Sequence, residues 1–307
     1  MIRIELQIEL NYEIDGNGAD FVFNVHAAHT PSQAISAESL TLSQAIPQRM
    51  NTAAITGNRN LYVRAQPGDL KLLYAATVDL NHYFADPAQV AEIPIQNLPP
   101  DVIGYIYPSR YCQSDRLIKL ANNEFGRLPQ GYRRVQAIRD WVNNHVAFTP
   151  NSSNSKTSAV DTLVEQVGVC RDFAHLMIAL CRALNIPARF TTGTDYGADP
   201  SLGPSDFHAY VEVYLGYRWY IFDPSNTGIP MGYVHFGTGR DAADVAFATI
   251  FGGVRTHAAV IRAVAITDPA NGLVLPHHCQ EALSTDSGTV PAAANDQSGG
   301  NGQPMLW

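Results

Sequence analysis

From Ile2 to about Leu98, apolar and polar residues alternate in short runs: IRIELQIELNYEI, ADFVFNVHAAH and NLYVRAQPGDLKLLYAATVDL. Successive side chains of a strand point to opposite faces, so this pattern predicts antiparallel strands with one buried face. Gly, Asn and Pro punctuate the runs where turns are needed. The expectation is a β-sandwich-like N-terminal domain over residues 1–98. The next stretch, AEIPIQNLPPDVIGYIYPSRYCQ, carries four prolines. It predicts a linker that drapes over the surface.

After the linker the period changes. SDRLIKLANNEF places Leu117, Leu120, Ala121 and Phe125 at helical spacing, with Ser114 suited to cap its start. YRRVQAIRDWVNNHV does the same with Val135, Ile138, Trp141, Val142 and Val146. A polar loop, TPNSSNSKTSA, and a short helical turn, VDTLVEQ, lead to Gly168. The helix that opens at Cys170 is apolar nearly all round from Phe173 to Leu184, which predicts a central, buried position. Pro187 ends it. Strand-like runs follow, ARFTTGTDY, FHAYVEVYL, YRWYIFD and HAAVIRAVAIT, so residues 99–283 read as an α+β unit. Past Leu283 the chain is polar and Gly-rich, and residues 284–307 are expected to form a disordered tail.

Charge narrows the function classes. The formal net charge is -8 over 307 residues, and Lys and Arg are scattered. Neither nucleic acid nor an anionic membrane is an expected partner. The N-terminal segment lacks the apolar core of a signal peptide, and no apolar run is long enough to span a bilayer. Cys112, Cys170, Cys181 and Cys279 show no CxxC spacing, which suggests neither a disulfide framework nor a zinc ribbon. Together these point to a reducing, cytoplasmic setting with free thiols.

Three residues stand at junctions. Cys170 opens the buried helix, His208 lies at the start of FHAYVEVYL, and Asp223 ends RWYIFD before Pro224. If the two strands pair through the LGYR turn with Tyr214 opposite Arg218, His208 falls opposite position 224, beside Asp223. A helix N-terminus favours a thiolate, an imidazole can carry its proton, and a carboxylate can orient that imidazole. Backbone N–H groups near Cys170 could hold an oxyanion. Gly168 would leave room for substrate near the thiol. Taken singly, each residue has a plainer reading. A helix cysteine is usually core packing, a strand histidine a surface residue, and an Asp before Pro a turn former.

The blocks GVCRDFAHL, FHAYVEVYL and RWYIFDPSN, in that order, resemble the core of the transglutaminase-like superfamily. GRDAADVAFATIFGG looks like a block near the end of its bacterial subfamily. The resemblance covers about residues 114–265. Tyr210 stands where a Trp is common and Ser225 where a Thr is common. It implies a papain-like core with Cys170 as nucleophile, His208 as base and Asp223 as its orienting partner. It implies no cofactor or metal, and thiol-dependent chemistry on a peptide or protein amide.

The polar loop GTDYGADPSLGPSDF, with Asp195, Asp199 and Asp206, suggests a solvent-open acidic rim. That favours hydrolysis over amine transfer and suits a cationic substrate. Cross-linking by amine transfer, and a non-catalytic binding module, are the alternatives. His277, His278 and Cys279 raise a metal-hydrolase reading, although adjacent residues on an extended segment point opposite ways. Asp172 and His175 are expected to be structural, Trp141 a core aromatic, and Trp219 a core aromatic or part of the site wall.

Overall fold

A computed structural model describes residues 1–196 and 206–286. The N-terminal alternation forms strands as the period requires. In β1 (Ile2–Ile14) every second residue from Ile2 to Ile14 is buried. It pairs antiparallel with β6 (Gly68–Leu80), Ile4 opposite Val78 and Leu6 opposite Ala76. The first sheet runs β15 (Val254–Thr256), β1, β6, β3 (Gln33–Leu42), and β16 (Val260–Ile266) also pairs β1. The second runs β14 (Ala248–Phe251), β2 (Ala19–Phe23), β5 (Arg59–Ala65), β4 (Gln48–Thr52). The inner faces of these two sheets share one apolar core. Residues 1–98 do not complete this sandwich alone, because β14 to β16 come from beyond residue 247.

The helical part begins where its spacing predicts. Helix α1 spans Ser114–Phe125 and α2 spans Tyr132–His145. Ser114 is the first helical residue rather than the residue before it. Between the α1–α2 pair and the central helix lie α3 (Ala159–Glu165) and a two-stranded parallel ladder, β8 (Ala147–Phe148) with β9 (Val167–Gly168). Helix α4 (Cys170–Ala183) is buried at every position from Asp172 to Ala183, in keeping with its all-round apolar sequence.

The third sheet has the order β13 (Val234–Gly239), β10 (Ala188–Thr194), β11 (Phe207–Leu215), β12 (Arg218–Phe222), β17 (Ala282–Ser284), β7 (Tyr83–Ala85). Ala209, Val211 and Val213 join the core built around α4, whereas Tyr210, Ile221, Val234 and Phe236 join the core of the sandwich. This sheet is therefore apolar on both faces, which is why nearly every residue of β11 is buried. Helix α5 (Ala242–Val245) follows β13 and leads to β14.

The C-terminal segment stays ordered further than its polarity suggests. Ser284 and Thr285 are buried, and the Thr285 hydroxyl donates to Glu212 Oε1 at 2.6 Å. Residues 287–307 of the expected tail, and Asp199 of the acidic loop, lie outside the described residues. Among the described residues no helix is long and apolar enough to cross a membrane.

Candidate active site

The β11–β12 hairpin positions two of the three residues, and its register differs by one from the sequence expectation. Gly216 and Tyr217 both take left-handed conformations, at φ 53° and 62°. This two-residue turn has the handedness that matches strand twist, and it sets Leu215 opposite Arg218 and Tyr214 opposite Trp219. Continued beyond Val211 and Phe222, the same register sets Asp223 opposite Tyr210, on the face that His208 shares. A one-residue slip turns every side chain over, so the expected register would have put Asp223 on the wrong face. With the observed register, His208 Nε2 donates to Asp223 Oδ2 at 3.2 Å, both side chains being only 4% exposed.

Asp223 is satisfied on all sides. Its Oδ1 accepts from the Ser225 backbone N–H at 3.0 Å and the Ser225 hydroxyl at 2.7 Å. Its Oδ2 also accepts from the Tyr233 hydroxyl at 2.7 Å. The bond to the amide two residues on is an Asx turn, which Asp-Pro-Ser favours. That part of the site was legible in the sequence. Tyr233, ten residues away after a short 3-10 turn, had no local signal.

The third residue comes from α4. The Cys170 side chain lines the same cleft as the His208 imidazole and helps to hold its charged form. Because Nε2 is engaged by Asp223, Nδ1 is the nitrogen left for the thiol. The entry to α4 is held by Asp172, whose Oδ2 accepts from the Val169 N–H at 2.9 Å and whose Oδ1 accepts from Ser153 and Arg171. Asp172 is thus structural, as expected. Gly168 serves it rather than substrate: a Cβ there would sit 2.8 Å from the Asp172 Cβ. His175 is buried, stacked on Tyr111, and accepts from the Ala242 N–H at 3.2 Å.

Electrostatics favour a charged pair. Burial opposes a charged imidazole, but the Asp223 charge and hydrogen bond, then Cys170, hold His208 well above its ordinary value of 6.5. Burial would raise Asp223; the His208 charge outweighs it, and bonds from His208, Tyr233 and Ser225 hold the carboxyl well below its ordinary 3.8. The raised His208 contributes stability that is full below about 6.5 and is lost as pH rises through its folded value. The depressed Asp223 contributes stability that is full above about 3.8 and is lost as pH falls through its folded value. The coupling between His208→Ala and Asp223→Ala in chemical unfolding should therefore be largest between about pH 4 and 6.5 and shrink above that window. A coupling that grows from pH 6 to pH 9 would contradict this assignment.

A cleft of about 500 Å³ opens beside the thiol. Cys170, Arg171 and His208 line it with Arg110, Phe207 and Phe247, the two phenylalanines stacked at 4.3 Å. The expected acidic rim is not what the described residues present. Asp195 is buried, Asp206 accepts from the Phe207 N–H, and no Asp or Glu is among the cleft-lining residues described. Trp219 is remote from the cleft, packed with Tyr214 and under the Arg189 guanidinium. Trp141 packs edge-on to Phe125, a core contact. His277 and His278 line a separate surface pocket, and no group of three or more His, Cys, Asp or Glu among the described residues could hold a metal ion.

A six-stranded sheet backed by a buried helix that opens on a cysteine, with a buried His–Asp pair on that sheet, is the arrangement of a papain-like core. The sequence matches the transglutaminase-like superfamily over residues 119–224 and the bacterial transglutaminase N-terminal domain over residues 2–101. The chain belongs to the transglutaminase-like superfamily. It is similar to a candidate cysteine protease from Cytophaga hutchinsonii of known crystal structure, with a TM-score of 0.85 and 40% identity over 92% of this chain and 97% of that one. It is also similar to an uncharacterized protein of Mycobacterium leprae, 27% identical over 146 residues, which are 46% of this chain and 52% of that one. A Mycobacterium tuberculosis relative is 33% identical over 125 residues, 36% of this chain and 40% of that one. The chain thus spans about half or less of the length of these mycobacterial relatives.

Proposed function

We propose that the protein cleaves a peptide or amide bond by thiol chemistry, with Cys170 as nucleophile, His208 as general base and acid, and Asp223 orienting the imidazole. The observation that carries this reading is the buried Nε2–H bond to Asp223, which leaves His208 Nδ1 for the thiol. Nδ1 takes the thiol proton and the sulfur attacks the carbonyl carbon. The first backbone N–H groups of α4 have no intrahelical acceptor and suit the developing oxyanion. The imidazolium then gives its proton to the leaving amine, and a thioester remains on Cys170. Water, deprotonated by His208, attacks the thioester; the acid departs and the sulfur regains its proton.

Hydrolysis is preferred to amine transfer because the charged side chains that line the described cleft are Arg110 and Arg171. The Arg110 guanidinium, which no carboxylate among the described cleft-lining residues offsets, disfavours the approach of a lysine ammonium. The similar Cytophaga hutchinsonii chain, a candidate cysteine protease, agrees with this preference. The test is mass spectrometry of the protein mixed with a peptide library, with and without a labelled primary amine. The expected results are an acyl adduct on Cys170 and release of the acid product. Efficient amine incorporation would overturn hydrolysis, and the lack of any adduct on Cys170 would overturn the thiol mechanism.

A further inference from the structure

The cleft has two unlike walls. On one, Phe207 and Phe247 stack face to face at 4.3 Å, with Ile250 beside them. On the other, Arg110 and Arg171 both lie over the Tyr111 ring, at 4.9 and 5.9 Å from its centroid. Tyr111 is held by its backbone N–H to Asp241 Oδ2 at 2.9 Å and by its hydroxyl to the Ser155 carbonyl at 2.7 Å. It is a fixed platform for both cations.

The two arginines differ in what they have left to offer. Arg171 is bonded to Asp172, to the Ser153 hydroxyl and to the Asn154 carbonyl, and the buried Asp172 carboxylate offsets its charge. Arg110 is exposed and makes no ion pair among the described residues. Its charge faces a cleft to which the described residues contribute no carboxylate. The chain as a whole is acidic, at -8, so this cationic wall runs against the overall field.

Resting on the thiol-hydrolase reading, we propose that the substrate is an acidic peptide: a peptide carboxylate pairs with Arg110 while a neighbouring apolar residue lies on the Phe207–Phe247 shelf. A guanidinium pairs with a carboxylate through two parallel N–H bonds, which gives orientation as well as attraction. Arg110 is then the specificity-determining residue of the cleft.

The test reads binding as well as turnover. Amidated peptides identical except for Glu, Gln or Lys at one position beside the scissile bond are titrated onto the Cys170→Ala protein by fluorescence anisotropy. Wild type is assayed with the same set for kcat/KM. A further pair, neutral in its side chains, carries a free or an amidated C-terminus, which separates a side-chain carboxylate from a terminal one. The expected result is a preference of about tenfold for the carboxylate-bearing member of at least one pair. It should shrink when salt is raised to about 0.5 M. With Arg110→Glu, the order of Glu and Lys peptides reverses. Should that variant fail to fold by circular dichroism, Arg110→Gln, which must abolish the preference, replaces it. Equal binding across the set, or a preference that survives loss of Arg110, overturns the proposal. Absence of turnover in wild type overturns the hydrolase reading instead, since the binding comparison needs no chemistry.

Discussion

Asp223→Asn should leave the protein folded and lower kcat by about ten-thousandfold, the loss expected when a catalytic imidazole is held in the wrong tautomer. An asparagine oxygen can still accept the two bonds from Ser225, and the Tyr233 hydroxyl can turn to accept from the new amide. What the amide cannot do is accept the His208 Nε2 proton. Its NH2 would donate to Nε2 instead, which moves the imidazole proton to Nδ1, the atom that must be free to take the thiol proton. Circular dichroism and thermal unfolding check the fold, and steady-state kinetics check the loss. An Asn variant that retains most of its turnover would remove Asp223 from the mechanism. One that unfolds would reduce it to a turn residue.

The second large effect is selective alkylation. With limiting iodoacetamide at pH 6 to 7, Cys170 should react about tenfold or more ahead of the other three cysteines, because only the thiolate is nucleophilic. Cys112 and Cys181 are fully buried; burial pushes the Cys112 thiol up to about 12 and raises Cys181 as well. Cys279 is also raised, by partial burial and by Glu281. Cys170 is half-buried, lines the cleft, and faces an imidazole whose charged form Asp223 stabilises. His208→Ala should slow its labelling at pH 6, by removing the group that takes the proton. Peptide mapping by mass spectrometry reads all four sites at once. Equal labelling, or Cys181 ahead, would count against the site.

Much of this was legible because local physics decides it. Period-two alternation specified β1 and β6, since a half-buried strand must alternate. An unbroken apolar run specified that α4 is central, and Pro187 specified where it stops. The ordered cysteine, histidine and aspartate blocks marked the three residues that come together. The hairpin was legible as a hairpin, but its register was not. Whether Gly216 alone or Gly216 with Tyr217 forms the turn depends on a left-handed tyrosine that composition does not announce.

The sequence by itself therefore determined the α+β order and the buried helix, because each follows from periodicity or from neighbours in the chain, while the resemblance of its ordered blocks to the transglutaminase-like superfamily singled out the three candidate residues. Only the tertiary structure decided that β14 to β16 return to the N-terminal sandwich and that Tyr233 shares the Asp223 carboxylate with His208. It also decided that Gly168 makes room for Asp172, and that arginines rather than acidic residues line the described cleft. Each of these joins residues far apart in sequence or sets a close contact, and such pairings are chosen by packing and charge in three dimensions, which no local pattern encodes.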